Sequence, residues 1–122
     1  MTPPAELGKK GEEIAVAYLL KEGYKIFARN WFHDHKEIDI IAKQGEEMVI
    51  VEVKTREGDY FEEPWEAVSP KKIRNLVEAA DAWLLQKEID LETRFDVISI
   101  IFSDDINYEL KHFPGAFIPP VN

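Results

Sequence analysis

The chain has 122 residues, contains no cysteine and carries a formal net charge of −9. This length suits one globular domain with a modest core, and the lack of cysteine excludes a disulfide framework and a thiolate metal site. The acidic balance argues against a protein that grips nucleic acid over a broad basic surface. No apolar run is long enough to span a bilayer and no signal peptide is recognisable, so we expect a cytoplasmic protein without a membrane partner.

The predicted elements follow the order helix, three strands, helix, two strands. Apolar residues at helical spacing predict a first helix over about 4–22, and Gly23 provides its end. A second helix is predicted over 70–87, because Ser69 can cap its first turn and Pro70 suits its first position. Strands are predicted at 24–31, 37–42, 48–54, 94–102 and 106–113, with turns at 33–35 and 103–105, a loop at 55–67 and an irregular tail from Pro114. We therefore expect one α/β domain, residues 1–122, with a mixed sheet.

The second and third strands form a predicted hairpin. Gly45 stands first in a two-residue loop between them, which suits a type II′ turn. In the resulting register Asp39 faces Glu52, and Glu37 faces Lys54. The opposite face of the hairpin is then wholly apolar and consists of Ile38, Ile40, Ala42, Val49, Val51 and Val53.

Charged residues stand inside these apolar strands, where burial of a charge is costly unless a partner compensates. Two carboxylates directly opposite each other, Asp39 and Glu52, repel unless a cation lies between them. Their oxygens suit Mg²⁺, which takes one or two carboxylates, keeps several waters and draws further ligands from phosphate. Lys54 points to the same face as Glu52 and could orient the attacking water or offset charge on a phosphate. The alternative is an ion-paired cluster in which Lys54 neutralises Glu37 or Glu52.

Each helix adds one candidate to this cluster. Glu12 borders the buried stripe of the first helix, where Gly8 and Gly11 would allow close approach to the sheet. Lys72 lies beside the buried stripe of the second helix and could lean towards the carboxylates or a phosphate. The alternatives are an ordinary carboxylate at the rim of the helix for Glu12 and a solvated side chain for Lys72.

Other polar and aromatic residues have simpler interpretations. His33 and His35 lie in a turn, and without a further spaced ligand we interpret them as solvated. His112, near the end of the last strand, is interpreted as a packing residue. The aromatic residues that could stack on bases are interpreted as core or loop residues; they are Trp31, Tyr60, Phe61 and Trp65.

The chain also resembles a known family through several motifs. These are Gly8-x-x-Gly11-Glu12-x-x-Ala15, Asn30, Glu37-Ile38-Asp39-Ile40-Ile41, Val51-Glu52-Val53-Lys54-Thr55-Arg56, Arg94-Phe95-Asp96-Val97 and His112…Ala116-Phe117. Together they resemble the YraN-like bacterial proteins, within the PD-(D/E)XK nuclease superfamily, over almost the whole chain. The chain departs from the pattern at Ile38, in place of the superfamily's proline, and at Lys36, in place of a glycine.

That resemblance implies a restriction-endonuclease-like fold, akin to archaeal Holliday-junction resolvases. In this fold a central mixed sheet is flanked by helices, here in the order αβββαββ. The resemblance also implies that Asp39 and Glu52 hold the metal, Mg²⁺ with Mn²⁺ as an alternative, and that Glu12 assists the metal site. Lys54 would serve the attacking water. From its own predicted position beside the carboxylates, Lys72 is expected to help offset charge on the scissile phosphate.

The leading hypothesis is therefore a Mg²⁺-dependent endonuclease that cleaves DNA, in particular structured or branched DNA. By analogy with resolvases, which cut two symmetric strands, we expect a homodimer. The rival hypothesis is a non-catalytic nucleic-acid- or protein-binding module that retains the nuclease scaffold, which the net charge of −9 favours. Binding that is independent of metal, of Asp39 and of Glu52 would support the rival.

Overall fold

The computed structural model describes residues 2–58, 66 and 68–119. In this part of the chain the elements are α1 (Pro4–Lys21), β1 (Lys25–His33), β2 (Lys36–Gln44), β3 (Glu47–Glu57), α2 (Pro70–Lys87), β4 (Glu92–Phe102) and β5 (Tyr108–Phe117). The predicted order αβββαββ is confirmed. The predicted loop 55–67 begins later than expected, because β3 continues to Glu57, and most of that loop lies outside the described residues.

The five strands form one sheet in the order β1-β2-β3-β4-β5. Neighbouring strands are antiparallel except β3 and β4, which are parallel and are connected through α2. A parallel pair needs such a crossover, whereas antiparallel neighbours are joined by short turns. The result is a mixed sheet flanked by two helices, which agrees with the expected restriction-endonuclease-like fold.

The two helices cover opposite faces of the sheet. Side chains alternate between faces along a strand, so Ile50 packs with α2 while Val49 and Val51 pack with α1. The core on the α2 side contains Ile38, Ile41, Met48, Ile50, Phe95, Val97, Leu76, Ala79, Ala80 and Trp83. The core on the α1 side contains Ala15, Leu19, Ile40, Ala42, Val49, Val51, Ile98, Ile100 and Phe102. Neither described helix is long and apolar enough to cross a membrane.

Local signals account for the start of α2 and for the turn between β2 and β3. The hydroxyl of Ser69 accepts a hydrogen bond of 3.1 Å from the backbone N–H of Lys72, as expected for the N-cap residue of α2. Gly45 has a φ of 58°, whereas Glu46 does not have a positive φ, which fits a type II′ turn. The predicted register is confirmed up to the pair Ile40–Val51.

The predicted irregular tail from Pro114 is wrong, because β5 continues to Phe117, whose Cα pairs with Phe95. Proline is tolerated here because β5 is an edge strand and its register with β4 shifts between Phe95 and Val97. Gly115 absorbs the irregularity with a φ of 58°. The last strand also begins two residues later than predicted, at Tyr108.

Candidate active site

The candidate site lies where the regular alternation of side chains between the two faces of the sheet is interrupted in both β1 and β2. Ile38 and Ile41 are three residues apart, yet both pack in the core on the α2 side, while Ile40 packs on the α1 side. In a regular strand, residues an odd number apart point to opposite faces. The prediction that Ile38 shares a face with Ile40 is therefore wrong. The reversal falls between these two residues, at Asp39.

Asp39 lies where β2 separates from β3. The Cα register of these strands ends at Ile40–Val51, so Asp39 does not pair with Glu52 in the ladder as predicted. In an unbroken ladder, the next hydrogen bond would run from the Val53 N–H to a backbone carbonyl of β2. Instead, the Val53 N–H donates to Oδ2 of Asp39 at 2.8 Å. The carboxylate thus occupies the position of a backbone acceptor and is held at the opening between the strands.

The environment of Asp39 disfavours its charge. Its side chain is buried, with a relative exposure of 9%. Burial, followed by the nearby carboxylates of Glu52, Glu12 and Glu37, raises the pKa of Asp39 to about 8, although the hydrogen bond from Val53 acts in the opposite direction. A cation bound beside Asp39 would stabilise its charged form, because the cation offsets both the cost of burial and the repulsion from the other carboxylates.

Glu52 is the most deeply buried carboxylate of the cluster, with a relative exposure of 4%. Its Oε2 lies 3.7 Å from Nζ of Lys54 and 3.6 Å from Nζ of Lys72. Its Oε1 is buried and has no hydrogen-bond partner among the described residues. The structure thus brings Lys72 of α2 to the cluster, and it contains the Lys54–Glu52 ion pair that the alternative interpretation anticipated.

Glu12 reaches the cluster because α1 packs directly on β3. A Cβ atom placed on Gly11 would lie 2.0 Å from Oγ1 of Thr55, so only glycine allows this approach. The same construction on Gly8 meets nothing within 4 Å, so the predicted role of Gly8 in close approach is wrong. Oε2 of Glu12 accepts a hydrogen bond of 2.8 Å from the amide of Asn30. Glu37, predicted to face Lys54, accepts one of 3.1 Å from the same amide nitrogen.

The two glycines of α1 give a matched prediction. We expect Gly11→Ala to destabilise the protein by about 1–3 kcal/mol, because the new methyl group overlaps Thr55. Gly8→Ala should instead stabilise it by about 0.5–1 kcal/mol, because alanine is the better helix former and space is available. Chemical denaturation of both variants measures the difference. Equal stability of the two variants would contradict the close packing of α1 on β3.

The residues of the cluster fit a divalent metal ion, although they do not form a complete ligand set. Within residues 2–58, 66 and 68–119, no three acidic, histidine or cysteine side chains converge closely enough to hold a metal by themselves. Mg²⁺ does not require such a set, since one or two carboxylates with water and phosphate suffice. Asp39 and Glu52 supply this pair, and Oε1 of Glu52, which has no hydrogen-bond partner in the described part of the chain, is a buried oxygen atom suited to a cation.

The histidines and aromatic residues of the β1–β2 hairpin lie outside this cluster. The rings of Trp31 and His33 are stacked, with centroids 6.3 Å apart, and Trp31 packs against the core on the α2 side. The interpretation of Trp31 as a packing residue is therefore confirmed. His35 is exposed at the turn. Tyr60, Phe61 and Trp65 lie outside the described residues.

A second polar cluster, centred on Asp96 of β4, was not predicted from the sequence. Asp96 is fully buried, and its two oxygens accept bonds of 2.8 and 2.9 Å from Arg94. His112 Nε2 lies 2.7 Å from Asp96 Oδ2, and His112 Nδ1 lies 2.9 Å from the hydroxyl of Tyr18. The backbone N–H of Gly115 donates to Asp96 at 2.9 Å. This cluster joins β4 to β5 and α1, so His112 is a hydrogen-bonding residue as well as a packing residue.

The sequence contained a signal for this second cluster. Arg94 and Asp96 interrupt an apolar strand, as Asp39 and Glu52 interrupt theirs. Burial opposes the ionisation of Asp96, but the hydrogen bonds from His112, Arg94 and Gly115 outweigh it and hold the pKa of Asp96 below its usual value. Asp96 is therefore a satisfied structural carboxylate, whereas Asp39 accepts a single hydrogen bond and has no ion pair among the described residues.

Comparison with known proteins identifies the family of the chain. Residues 11–100 match the family described as Uncharacterised protein family UPF0102. The UPF0102 protein of Bacteroides thetaiotaomicron is 48% identical over 116 residues, which cover 95% of each chain. The UPF0102 protein of Phocaeicola vulgatus is 42% identical over 116 residues, which also cover 95% of each chain. The UPF0102 protein of Parabacteroides distasonis is 43% identical over 115 residues, or 94% of each chain. The chain therefore belongs to the UPF0102 family, the YraN-like family of PD-(D/E)XK-like proteins.

Proposed function

We propose that this protein is a metal-dependent endonuclease that hydrolyses phosphodiester bonds of DNA, with branched or structured DNA as its substrate. One observation carries the proposal: Oε1 of Glu52 is buried without a hydrogen-bond partner among the described residues, beside a second buried carboxylate, Asp39. Buried polar atoms without partners are rare and need a physical reason. A divalent cation between Asp39 and Glu52 supplies one, because it satisfies this oxygen and offsets the repulsion between the two side chains.

Each side chain of the cluster has a role in this reaction. Asp39 and Glu52 would hold Mg²⁺ or Mn²⁺, and Glu12 would assist them from α1. The bound ion would act as a Lewis acid towards water and phosphate. Lys54 would orient the attacking water or offset charge on the scissile phosphate, and Lys72 would bind the phosphate from the start of α2.

The positions of the two lysines support these roles. Their Nζ atoms lie 3.7 and 3.6 Å from Oε2 of Glu52, which is longer than a hydrogen bond, so both ion pairs are loose. The Lys54 and Lys72 side chains are also partly exposed, with relative exposures of 26% and 36%. They can therefore turn towards a phosphate that enters from solvent, once a cation takes over the charge of Glu52.

The family resemblance and the distribution of charge support DNA as the substrate class. The net charge of −9 restricts attraction for a polyanion to local basic regions, and Lys71, Lys72 and Arg74 form such a region at the start of α2, beside Glu52. The PD-(D/E)XK resemblance favours DNA and, through the resolvases, branched DNA. A homodimer would present two sites to two symmetric strands. A location in the bacterial cytoplasm would give the enzyme access to DNA.

A cleavage assay tests the proposal with matched lysine variants. We expect Lys54→Ala to reduce the rate of cleavage of a branched DNA in Mg²⁺ or Mn²⁺ by about 10²–10⁴-fold, as for loss of a group that handles a proton or charge at the reacting atoms. Lys111→Ala is the control, because Lys111 is exposed on β5 and pairs only with Glu109 among the described residues. Equal rates of cleavage by Lys54→Ala and Lys111→Ala would contradict the role proposed for Lys54. Metal-independent binding of DNA, with no cleavage by the wild-type protein, would instead favour the non-catalytic binding module.

A further inference from the structure

Asn30 has an unusual backbone conformation for its position. It lies within β1 and has a φ of 47°, in the left-handed region. Among the described residues other than glycine, a positive φ occurs elsewhere only at Asp34, in a hairpin turn, and at Glu88, at the end of α2. Turns and helix ends commonly adopt this conformation, but the middle of a strand does not, and it costs free energy there. The left-handed conformation of Asn30 within a strand therefore requires a physical explanation.

The left-handed conformation of Asn30 occurs at the same place in the sheet as the change of side-chain faces at Asp39. The neighbouring Cα pairs are Arg29–Ile40 and Trp31–Ile38, so Asn30 lies opposite Asp39 between the two strands. Asn30 and Asp39 therefore form one irregularity that spans both strands. Asparagine adopts the left-handed conformation more readily than most residues, which suits it to this position.

The side chain of Asn30 joins two carboxylates from different elements. Its Nδ2 atom donates to Oε2 of Glu12 on α1 at 2.8 Å and to Oε2 of Glu37 on β2 at 3.1 Å. An amide nitrogen has two hydrogens, so both are used. Among the described residues, these are the only hydrogen bonds of either carboxylate. The orientation of Glu12 at the site thus depends on Asn30.

The electrostatics explain why the joining group is a neutral donor. The negative charges of Glu12 and Glu37 both repel a charge on Asp39. An aspartate in place of Asn30 would add a further negative charge to this group, and a lysine would add a cation that competes with a metal ion. An amide satisfies two carboxylates without either effect.

We propose that Asn30 is a positioning residue of the site, which holds the Glu12 carboxylate near Asp39, where its negative charge favours a divalent cation bound by Asp39 and Glu52. The inference rests on the proposed function and assigns a role to a residue that does not itself touch the metal or the substrate. Replacing groups in the hydrogen-bonded surroundings of metal ligands typically changes metal affinity by about 10–100-fold.

Asn30→Gly tests the role of the side chain apart from that of the backbone conformation. Glycine adopts a φ of 47° without strain and has no side-chain amide to donate hydrogen bonds. Without metal, we expect its melting temperature to remain within about 3 °C of the wild type. The Mg²⁺ or Mn²⁺ concentration that gives half of the metal-dependent rise in melting temperature should increase by about 10–100-fold. Cleavage by Asn30→Gly should recover as the metal concentration is raised, which a general loss of packing would not permit.

Arg29→Ala is the matched control. Arg29 precedes Asn30 in β1 and also binds α1, through an exposed ion pair of 2.6 Å with Glu13. Its replacement weakens the same contact between α1 and β1 and should leave the metal affinity unchanged. Equal affinity in Asn30→Gly and the wild type would overturn the inference, as would an equal loss in both variants. If the wild type shows no metal effect, the proposed function fails, and the inference fails with it.

Discussion

Asp39→Asn is expected to make the protein more stable and, at the same time, catalytically inactive. Asparagine keeps the shape of the side chain and can still accept the hydrogen bond from the Val53 N–H. It removes a carboxyl group whose ionisation is opposed by burial and by the charges of Glu52, Glu12 and Glu37. Replacement of a poorly compensated buried charge is often stabilising, and we expect a gain of about 1–2 kcal/mol near neutral pH. The melting temperature should rise by about 5 °C without metal.

The stability difference between Asp39→Asn and the wild type should also depend on pH, in a direction that can be predicted. The pKa of Asp39 is raised to about 8 in the folded protein, so between the usual aspartate pKa and about 8 the folded state holds more protons than the unfolded state. The stability contributed by this residue therefore falls as pH rises through that window. The advantage of Asp39→Asn over the wild type should grow between about pH 5 and about pH 8.

Thermal melting over this pH range, combined with the cleavage assay, tests both parts of the prediction. A wild-type protein as stable as Asp39→Asn at every pH would contradict the uncompensated burial of Asp39. Strong destabilisation by Asp39→Asn would instead favour a purely structural ion-paired cluster. Cleavage retained by the variant would show that Asp39 does not hold an essential metal.

Asp96→Ala should have the opposite effect on stability, and a large one. The substitution leaves Arg94 and His112 without the carboxylate that both contact, in a part of the protein that excludes most water. Removal of one partner from a buried ion pair typically costs about 3–5 kcal/mol. It also frees the backbone N–H of Gly115, which anchors the irregular end of β5.

Chemical denaturation measures this loss, with Asp81→Ala as the control. Asp81 is exposed on α2, and we expect its replacement to change the free energy of unfolding by at most about 0.5 kcal/mol. In the wild type, the stability contributed by Asp96 should be lost as pH falls through its depressed pKa, because the group must then be protonated. A loss below about 1 kcal/mol in Asp96→Ala would contradict the role of this cluster, since a single ordinary hydrogen bond contributes as much.

Much of the fold could be predicted because its signals are local. The N-cap at Ser69 and the glycine in the β2–β3 loop each depend on a few adjacent residues, and both predictions are confirmed. The juxtaposition of Asp39 and Glu52 followed from the hairpin register, although the ladder ends one pair before them. Charges in otherwise apolar strands therefore located the candidate site.

The remaining features depend on contacts between distant parts of the chain. Strict alternation predicted that Ile38 and Ile40 share a face, but they lie on opposite faces of the sheet. The residues adjacent in sequence do not indicate the left-handed conformation of Asn30 that accompanies this change. The Asp96 cluster joins Tyr18 and His112, which are 94 residues apart. His112 was interpreted from the sequence as a packing residue, and only the fold brings it to Asp96.

The first measurement should be thermal melting of the wild type and Asp39→Asn over a series of Mg²⁺ and Mn²⁺ concentrations, with monovalent salt at matched ionic strength. A ligand that binds only the folded state at 100 times its dissociation constant stabilises that state by about 2.7 kcal/mol. We expect both divalent ions to raise the melting temperature of the wild type and to leave that of Asp39→Asn unchanged. No divalent-dependent rise in the wild type, with or without a short DNA present, would contradict a metal site at Asp39 and Glu52.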